Sequence, residues 1–116
     1  DGELSTRLFE IRLLRCAGYQ PRLELEVCLG CRGKLDPKAV FFSPVHGGIV
    51  CRACSSREGA QPRPVTRGTI AFFKQVLKMP PRLASRLKAT PTMKTELKDL
   101  LEVYFDYLLG RSSYGR

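Results

Sequence analysis

The chain has 116 residues, of which 43% are apolar and 27% are charged, and its formal net charge at pH 7 is +9. One domain with a modest core fits these values, which exclude a large multi-domain enzyme and a wholly disordered chain. No apolar run approaches the roughly 18 residues of a membrane span, so we expect no membrane partner.

The positive charge is concentrated in the second half of the sequence. Residues 59–116 contain 11 basic and 4 acidic side chains, whereas residues 1–58 contain 9 basic and 7 acidic ones. From residue 59 to residue 95 there are eight basic residues and no acidic residue. A stretch whose charges are all positive favours a polyanionic partner such as nucleic acid or an acidic peptide. A surface that only makes the protein soluble is the simpler alternative.

The sequence predicts a first helix over residues 3–17. Apolar residues recur there at helical spacing, and Gly18 followed by Pro21 marks the C-terminal end. The helix is apolar on more than one stripe, so we expect it to pack against more than one neighbour. Cys16 lies on its apolar side, where we expect a small core residue.

The segment 22–58 predicts a small module built on a β-hairpin. Residues 40–43 are a β-type run, a turn follows, and residues 49–50 form the return strand. Residues 23–27 alternate between apolar and charged side chains, which fits either a short strand or a last piece of helix. Residues 55–64 are polar and contain glycine and proline, as in a linker.

The remaining sequence predicts three helices. The first follows Thr66 as N-cap and runs to about Lys78, the second covers residues 82–88, and the third begins at Thr90 and stops at Gly110. The expected fold is therefore mainly α, in the α+β class: a helical bundle with an inserted β-hairpin module, whose two Cys-x-x-Cys pairs predict a zinc finger. We expect a first helix of the helical domain, a four-cysteine zinc-finger module and a helical bundle, which occupy residues 1–21, 22–58 and 59–116.

Four of the five cysteines form two Cys-x-x-Cys pairs, with nineteen residues between the pairs. Each short spacer brings two thiolates to one side of a tight turn, and two such turns complete a tetrahedron around Zn²⁺. Four thiolates with no open position are typical of a structural site, so we predict structural Zn²⁺, with iron as the alternative occupant. The odd total argues against a disulfide framework and for a reducing compartment. The predicted metal ligands are Cys28, Cys31, Cys51 and Cys54.

The residues give little support to catalysis. His46 is the one histidine, and two glycines follow it instead of the glutamate of zinc deaminases. A Cys16–His46 nucleophile is formally possible, but a histidine in a turn is more often simply solvated. A redox dithiol would need one pair in a βαβ setting. We therefore predict no enzymatic activity and no small-molecule substrate.

Basic residues of the later helices are candidates for a DNA-binding or partner-binding surface. If the helices pack antiparallel, these basic residues could form a stripe that contacts phosphates without reading bases. The affinity of such a stripe for nucleic acid falls as the salt concentration rises. Phe72, Tyr104 and Tyr107 are candidates for base stacking, although core packing is the simpler interpretation. The candidate basic residues are Arg67, Lys74, Lys78, Arg82, Arg86 and Lys88, with Lys94 and Lys98 farther along the chain.

Six motifs follow one another in order. They are FEIRLL at 9–14, GY-x-P at 18–21, the first cysteine pair, FSP at 42–44 with GG at 47–48, the second cysteine pair, and Y-x-x-Y-x-x-G at 104–110. This order and spacing resemble the C-terminal half of the RecO family of bacterial recombination-mediator and DNA-repair proteins. The resemblance covers essentially the whole chain.

Resemblance to that family implies a helical domain that holds a zinc finger, with the four paired cysteines as ligands. It implies binding of single- and double-stranded DNA without sequence specificity, strand annealing, contacts with RecR and with single-stranded-DNA-binding protein, and assistance in RecA loading. It also implies a bacterial, cytoplasmic, nucleoid-associated location. The N-terminal OB-fold of the family does not precede Asp1, so we expect the chain to be a piece of a longer protein.

In some family members the acidic, hydrophobic tail of single-stranded-DNA-binding protein docks on the helical domain. The resemblance suggests that Arg7, Arg12 and Arg15 contribute to such a docking site in this chain.

One alternative function is a zinc-finger adaptor that binds an acidic protein without binding nucleic acid. A second is an Arf-type GTPase-activating protein, whose finger has similar cysteine spacing but whose flanking helices fit poorly; it would need an arginine beside the finger. The arginines near the finger are Arg32, Arg52 and Arg57.

Overall fold

A computed structural model describes residues 2–58 and 63–111 of the chain. These residues are mainly helical and contain a two-stranded antiparallel sheet, so the predicted α+β class is confirmed. The elements in chain order are α1 (Gly2–Cys16), β1 (Phe41–Ser43), β2 (Gly48–Val50), α2 (Arg52–Ser56), α3 (Arg67–Lys78), α4 (Pro81–Ala84) and α5 (Pro91–Leu108).

Helices α1, α3 and α5 pack against one another in pairs and form the helical part of the core. Most of the apolar residues that recur at helical spacing in the first and last helices are buried, whereas Phe105 and Leu108 of α5 are half-buried. Full burial of one such side chain contributes about 1.5–3 kcal/mol. The buried residues are Leu4, Leu8, Ile11 and Leu14 on α1 and Leu97, Leu100, Leu101, Val103 and Tyr104 on α5.

The second apolar stripe of α1 is exposed. Phe9 is 66% exposed and Leu13 is 43% exposed. Cys16 is exposed as well, so its prediction as a core residue is wrong. At about 100° per residue, position 16 lies roughly 140° around the helix from the buried Ile11, which places it on the far side. The expected contact with more than one neighbour is confirmed, because the buried stripe meets both α3 and α5.

The helix beginnings follow two different capping schemes. Thr90 caps α5 as predicted, since its side-chain oxygen accepts a hydrogen bond from the backbone N–H of Met93 at 3.1 Å. Thr66 precedes α3 as predicted, but its side chain makes no cap bond to its own helix. Instead, its backbone N–H and its hydroxyl both donate to Glu96 Oε1 at 2.9 Å. The start of α3 is therefore tied to α5.

The short helix between α3 and α5 is shorter than predicted. The sequence pattern suggested residues 82–88, whereas α4 ends at Ala84. Beyond it the chain makes turn-type bonds, from Arg86 N to Leu83 O and from Leu87 N to Ala84 O, both at 3.0 Å. These i→i+3 bonds replace the i→i+4 ladder, so the helix does not continue.

The predicted hairpin is present, with Phe41 opposite Val50 and Ser43 opposite Gly48. Residues 23–27 belong to no helix or strand. The linker predicted at 55–64 is wrong at both ends: α2 extends to Ser56, and residues 63–65 lie against β1, where Phe42 N donates to Arg63 O at 2.9 Å. Residues 59–62 of that linker lie outside the described residues.

The hairpin and the bundle share one core. Phe42 of β1 meets Tyr104 of α5 edge to face, with ring centroids 5.2 Å apart. Phe42 and Tyr104 belong to the same buried cluster as Phe72. Two of the three aromatic residues considered for base stacking are therefore core residues.

Within residues 2–58 and 63–111, none of the helices combines the length and apolar character that a bilayer crossing requires.

The contact between Glu96 and the start of α3 yields a stability prediction. We expect Glu96→Ala to lower the free energy of unfolding by about 1–3 kcal/mol, because it leaves the Thr66 and Thr69 donors without their acceptor. Glu102→Ala removes the same charge from an exposed position of α5 and should change stability by less than about 0.5 kcal/mol. Urea denaturation followed by circular dichroism measures both. Equal effects would contradict a capping role for Glu96.

Candidate metal centre and basic surfaces

The four paired cysteines come together in space. Their sulfur atoms all lie within 4.8 Å of one another, and Cys31 Sγ is 3.9 Å from Cys51 Sγ. In a tetrahedral site with metal–sulfur bonds of about 2.3 Å, neighbouring sulfurs are about 3.8 Å apart. The cluster could therefore hold one metal ion with only small adjustments.

Two chain segments of different structure position the sulfurs. Cys28 and Cys31 lie on a tight turn, in which Arg32 takes the left-handed conformation with φ of 66°. Cys51 directly follows β2, and Cys54 lies on α2. The close approach of the two segments requires glycine at position 30, since a Cβ there would lie 2.8 Å from Cys54 Sγ.

Backbone N–H groups surround the sulfur of Cys28. Gly30 N donates to it at 3.3 Å and Cys51 N donates to it at 3.2 Å. Burial by itself would raise the pKa of Cys28, but hydrogen bonds from the backbone of Cys31, Cys51 and Gly30 outweigh burial and lower its pKa to about 6. This sulfur is thus prepared to carry negative charge.

Cys54 has the opposite electrostatic environment. Burial, followed by the neighbouring sulfurs of Cys28, Cys51 and Cys31, raises the pKa of its thiol to about 12. Thiolates repel one another at these distances, so the cluster cannot hold four negative charges unless a cation compensates them. A bound metal ion supplies that compensation.

His46 lies in the hairpin turn and has protein partners there. Its Nδ1 is 3.1 Å from Ser43 Oγ and 3.7 Å from Glu58 Oε2. The expectation of a simply solvated loop histidine is therefore incomplete. Ser43 is fully buried, so this contact holds the turn in place and presents no accessible nucleophile.

The predicted basic residues do not all meet on one surface. Lys74 and Lys78 line a groove of about 470 Å³ together with Arg15, whereas Arg67 lines a separate cleft. Lys74 Nζ is also 3.4 Å from Glu24 Oε2. The exposed members of the predicted set are Arg67, Lys78, Arg82, Arg86, Lys88 and Lys98.

The three arginines of α1 make intramolecular contacts. Arg7 pairs with Glu10 at 2.7 Å. Arg12 donates to the backbone carbonyls of Val76 and Met79 at 3.2 and 3.0 Å, and Arg15 donates to that of Leu77 at 2.7 Å. Cations at these carbonyls stabilise the C-terminal end of α3. Sequence reasoning missed this role, because the partners are more than sixty positions apart.

The groove beside α3 combines apolar and cationic walls. Leu23, Phe73 and Leu77 supply the apolar part, and Arg15, Lys74 and Lys78 supply the positive charge. Glu24 is the acidic residue at its edge. Such a groove complements an extended segment that carries both carboxylates and apolar side chains.

A helical bundle joined to a hairpin module with four clustered thiols defines a class: helical domains with an inserted hairpin module whose four cysteines could hold a metal ion. A family model described as "Recombination protein O C terminal" matches residues 1–115. The chain therefore belongs to the RecO family, as the resemblance indicated.

Curated relatives agree with this assignment. Several of them are called "DNA repair protein RecO". The protein from Desulforamulus reducens is 32% identical over 96% of this chain, and the one from Dehalococcoides mccartyi is 33% identical over 96% of it. The protein from Moorella thermoacetica is 30% identical over 97% of this chain. The chain spans 42% of the length of each of these relatives. No solved structure matches the chain.

The pKa values of the cluster yield a prediction for metal binding. We expect one equivalent of Zn²⁺ to bind and to release protons, because the Cys54 thiol, with its pKa of about 12, is protonated at neutral pH. Raising the pH should raise the apparent affinity, since fewer protons compete for the sulfurs. Calorimetric titration in buffers of different ionisation enthalpy counts the protons. Cys54→Ser should weaken binding strongly and the exposed Cys16→Ser should not; a pH-independent affinity would contradict this account.

Proposed function

We propose that this chain is a non-catalytic DNA-repair module of a recombination mediator, which binds DNA backbone and partner proteins. The observation that carries the proposal is the set of exposed basic residues on α3, α4 and the turn after α4, in a chain that belongs to the RecO family. The relatives' name, DNA repair protein, supports the same role. We assign the module to the bacterial cytoplasm, in association with the nucleoid.

We propose Zn²⁺ as the ion that the four cysteines hold. Four thiolates without an open position suit a structural zinc ion and leave no place for a substrate. Residues 22–58 would then form the zinc-finger module, inserted between the helical parts at residues 1–21 and 59–116. The energy of metal binding would contribute to folding of the module.

We propose that the α4 surface contacts DNA phosphates without reading bases. Arg82, Arg86 and Lys88 are all exposed, and each can neutralise one phosphate and release counterions. Single- and double-stranded DNA would therefore both bind here, with a strong dependence on salt.

We propose that the groove beside α3 receives the acidic, hydrophobic tail of single-stranded-DNA-binding protein. Its three cations and its apolar wall of Leu23, Phe73 and Leu77 support this assignment. Of the three α1 arginines suggested by the resemblance, Arg15 is the one that lines the groove. A contact with RecR is proposed from family membership alone. The same groove also favours the adaptor alternative, in which an acidic protein binds and DNA does not.

Charge reversal tests the phosphate-binding surface. We expect Arg82→Glu, Arg86→Glu and Lys88→Glu together to weaken binding of a fluorescent oligonucleotide at least tenfold and to reduce the slope of log affinity against log salt by about 2–3. The matched control reverses Arg22, Lys34 and Arg111, which are exposed elsewhere, and has the same net charge. Equal losses in the two triple variants would mean that net charge alone matters. Binding of the tail peptide without any DNA binding would favour the adaptor.

A peptide titration tests the groove. We expect the acidic tail peptide to bind with a dissociation constant near 1 µM, or about −8 kcal/mol, and a scrambled peptide of equal charge to bind at least tenfold more weakly. Lys78→Ala should weaken tail binding and Lys98→Ala should not. Equal binding of both peptides would mean that the groove recognises only negative charge. If neither peptide binds, the assignment of the groove as the tail site is wrong.

A further inference from the structure

A second cleft lies between the hairpin module and the start of α3. Its volume is about 620 Å³, within the usual range of ligand sites. Residues 37–41 and Arg52 form its wall on the module side, and residues 64–67 form its wall on the bundle side. The floor is apolar, since Val40, Phe41 and Val65 are each at most 4% exposed.

The charges that line this cleft have one sign. Lys38, Arg52 and Arg67 line it, and none of the described lining residues is acidic. Two carboxylates on neighbouring residues accept backbone hydrogen bonds: Asp36 Oδ1 from Lys38 N, and Glu96 Oε1 from Thr66 N. Three cations around an apolar floor complement a ligand that is anionic at one end and flat and apolar at the other.

Arg52 supplies the feature that distinguishes this cleft from an ordinary basic patch. Its guanidinium carbon lies 5.0 Å from the centroid of the Phe41 ring, within the range of a cation–π contact. This contact holds an otherwise flexible side chain over the cleft floor. An arginine positioned in this way can stack on a nucleic-acid base, because its guanidinium group is planar.

We propose that this cleft binds one nucleotide of single-stranded DNA, with the phosphate neutralised by Lys38 and Arg67 and the base stacked on Arg52. The inference rests on the proposed DNA binding and adds a selective site to it. In a duplex the bases are paired and stacked inside the helix, so a duplex can place only phosphates at the rim. An unpaired base can enter between the module and α3.

Two double variants of the full chain test the site by fluorescence anisotropy, with an oligothymidylate and a duplex of equal length as probes. Lys38→Gln with Arg52→Gln should weaken oligothymidylate binding about tenfold and change duplex binding by less than about twofold, because stacking of a base depends on Arg52. The matched control, Arg82→Gln with Arg86→Gln, removes the same charge from the α4 surface and should weaken both probes alike. Arg52→Lys keeps the charge and loses the planar group, so it should also weaken the oligothymidylate selectively. Circular dichroism and metal content establish that each variant is folded.

The outcomes separate this inference from the function on which it rests. If the wild-type chain binds neither probe, the proposed DNA binding fails and the cleft assignment fails with it. If the wild-type chain binds both probes and the cleft variants weaken them equally or not at all, only the cleft assignment is overturned. Displacement of the oligothymidylate by thymidine monophosphate at equal concentration would reassign the cleft to a free nucleotide. Equal displacement by an acidic peptide of matched charge would leave it a general anion surface.

Discussion

Mutual repulsion among four sulfur atoms in a small space is the constraint on which the module depends. The turn at Cys28, the end of β2 and the short α2 converge where these sulfurs meet. Backbone N–H groups stabilise charge on Cys28, and burial keeps Cys54 protonated. The protein thus provides a partly neutralised site, in which a bound cation would balance the remaining charge. Metal binding would then be coupled to folding of the module.

The module is not stabilised by the sulfurs alone. Its hairpin residues Phe42 and Ile49 belong to the same buried cluster as the helices, and Phe42 contacts Tyr104 of α5. A small hairpin of this size would be marginal by itself. Since its apolar side is completed by the bundle, loss of the metal would loosen the turn and α2 first, while the hairpin keeps its contact with α5.

Helix α3 is held at both ends by residues from other helices. Glu96 of α5 accepts the hydrogen bonds at its beginning, and Arg12 and Arg15 of α1 donate to the carbonyls at its end. An acidic group at the N-terminus and cations at the C-terminus both complement the helix dipole. The groove proposed for the acidic tail and the cleft proposed for a nucleotide both border this helix, so its fixed position determines the distance between them.

Features with short-range causes could be predicted from the sequence. The cysteine spacing indicated the cluster, helical periodicity indicated the buried faces of α1 and α5, and Thr90 followed by proline indicated the start of α5. The failures have long-range causes. Nothing near Thr66 shows that Glu96 will replace its cap, and nothing near Arg12 shows that it will reach α3. Position 16 was misjudged because a helix with two apolar stripes does not indicate which one meets the core.

Both edges of the hairpin are covered by the chain that enters and leaves it. Arg22 pairs with Gly48 beside β2, and Pro64 pairs with Phe41 beside β1. A two-stranded hairpin with adjacent phenylalanines and free edges would be a template for strand addition by other molecules. Here the flanking segments occupy the N–H and C=O groups that would serve as that template. The pairing of residues 63–65 with β1 therefore protects the chain against intermolecular aggregation, independently of any partner that it binds.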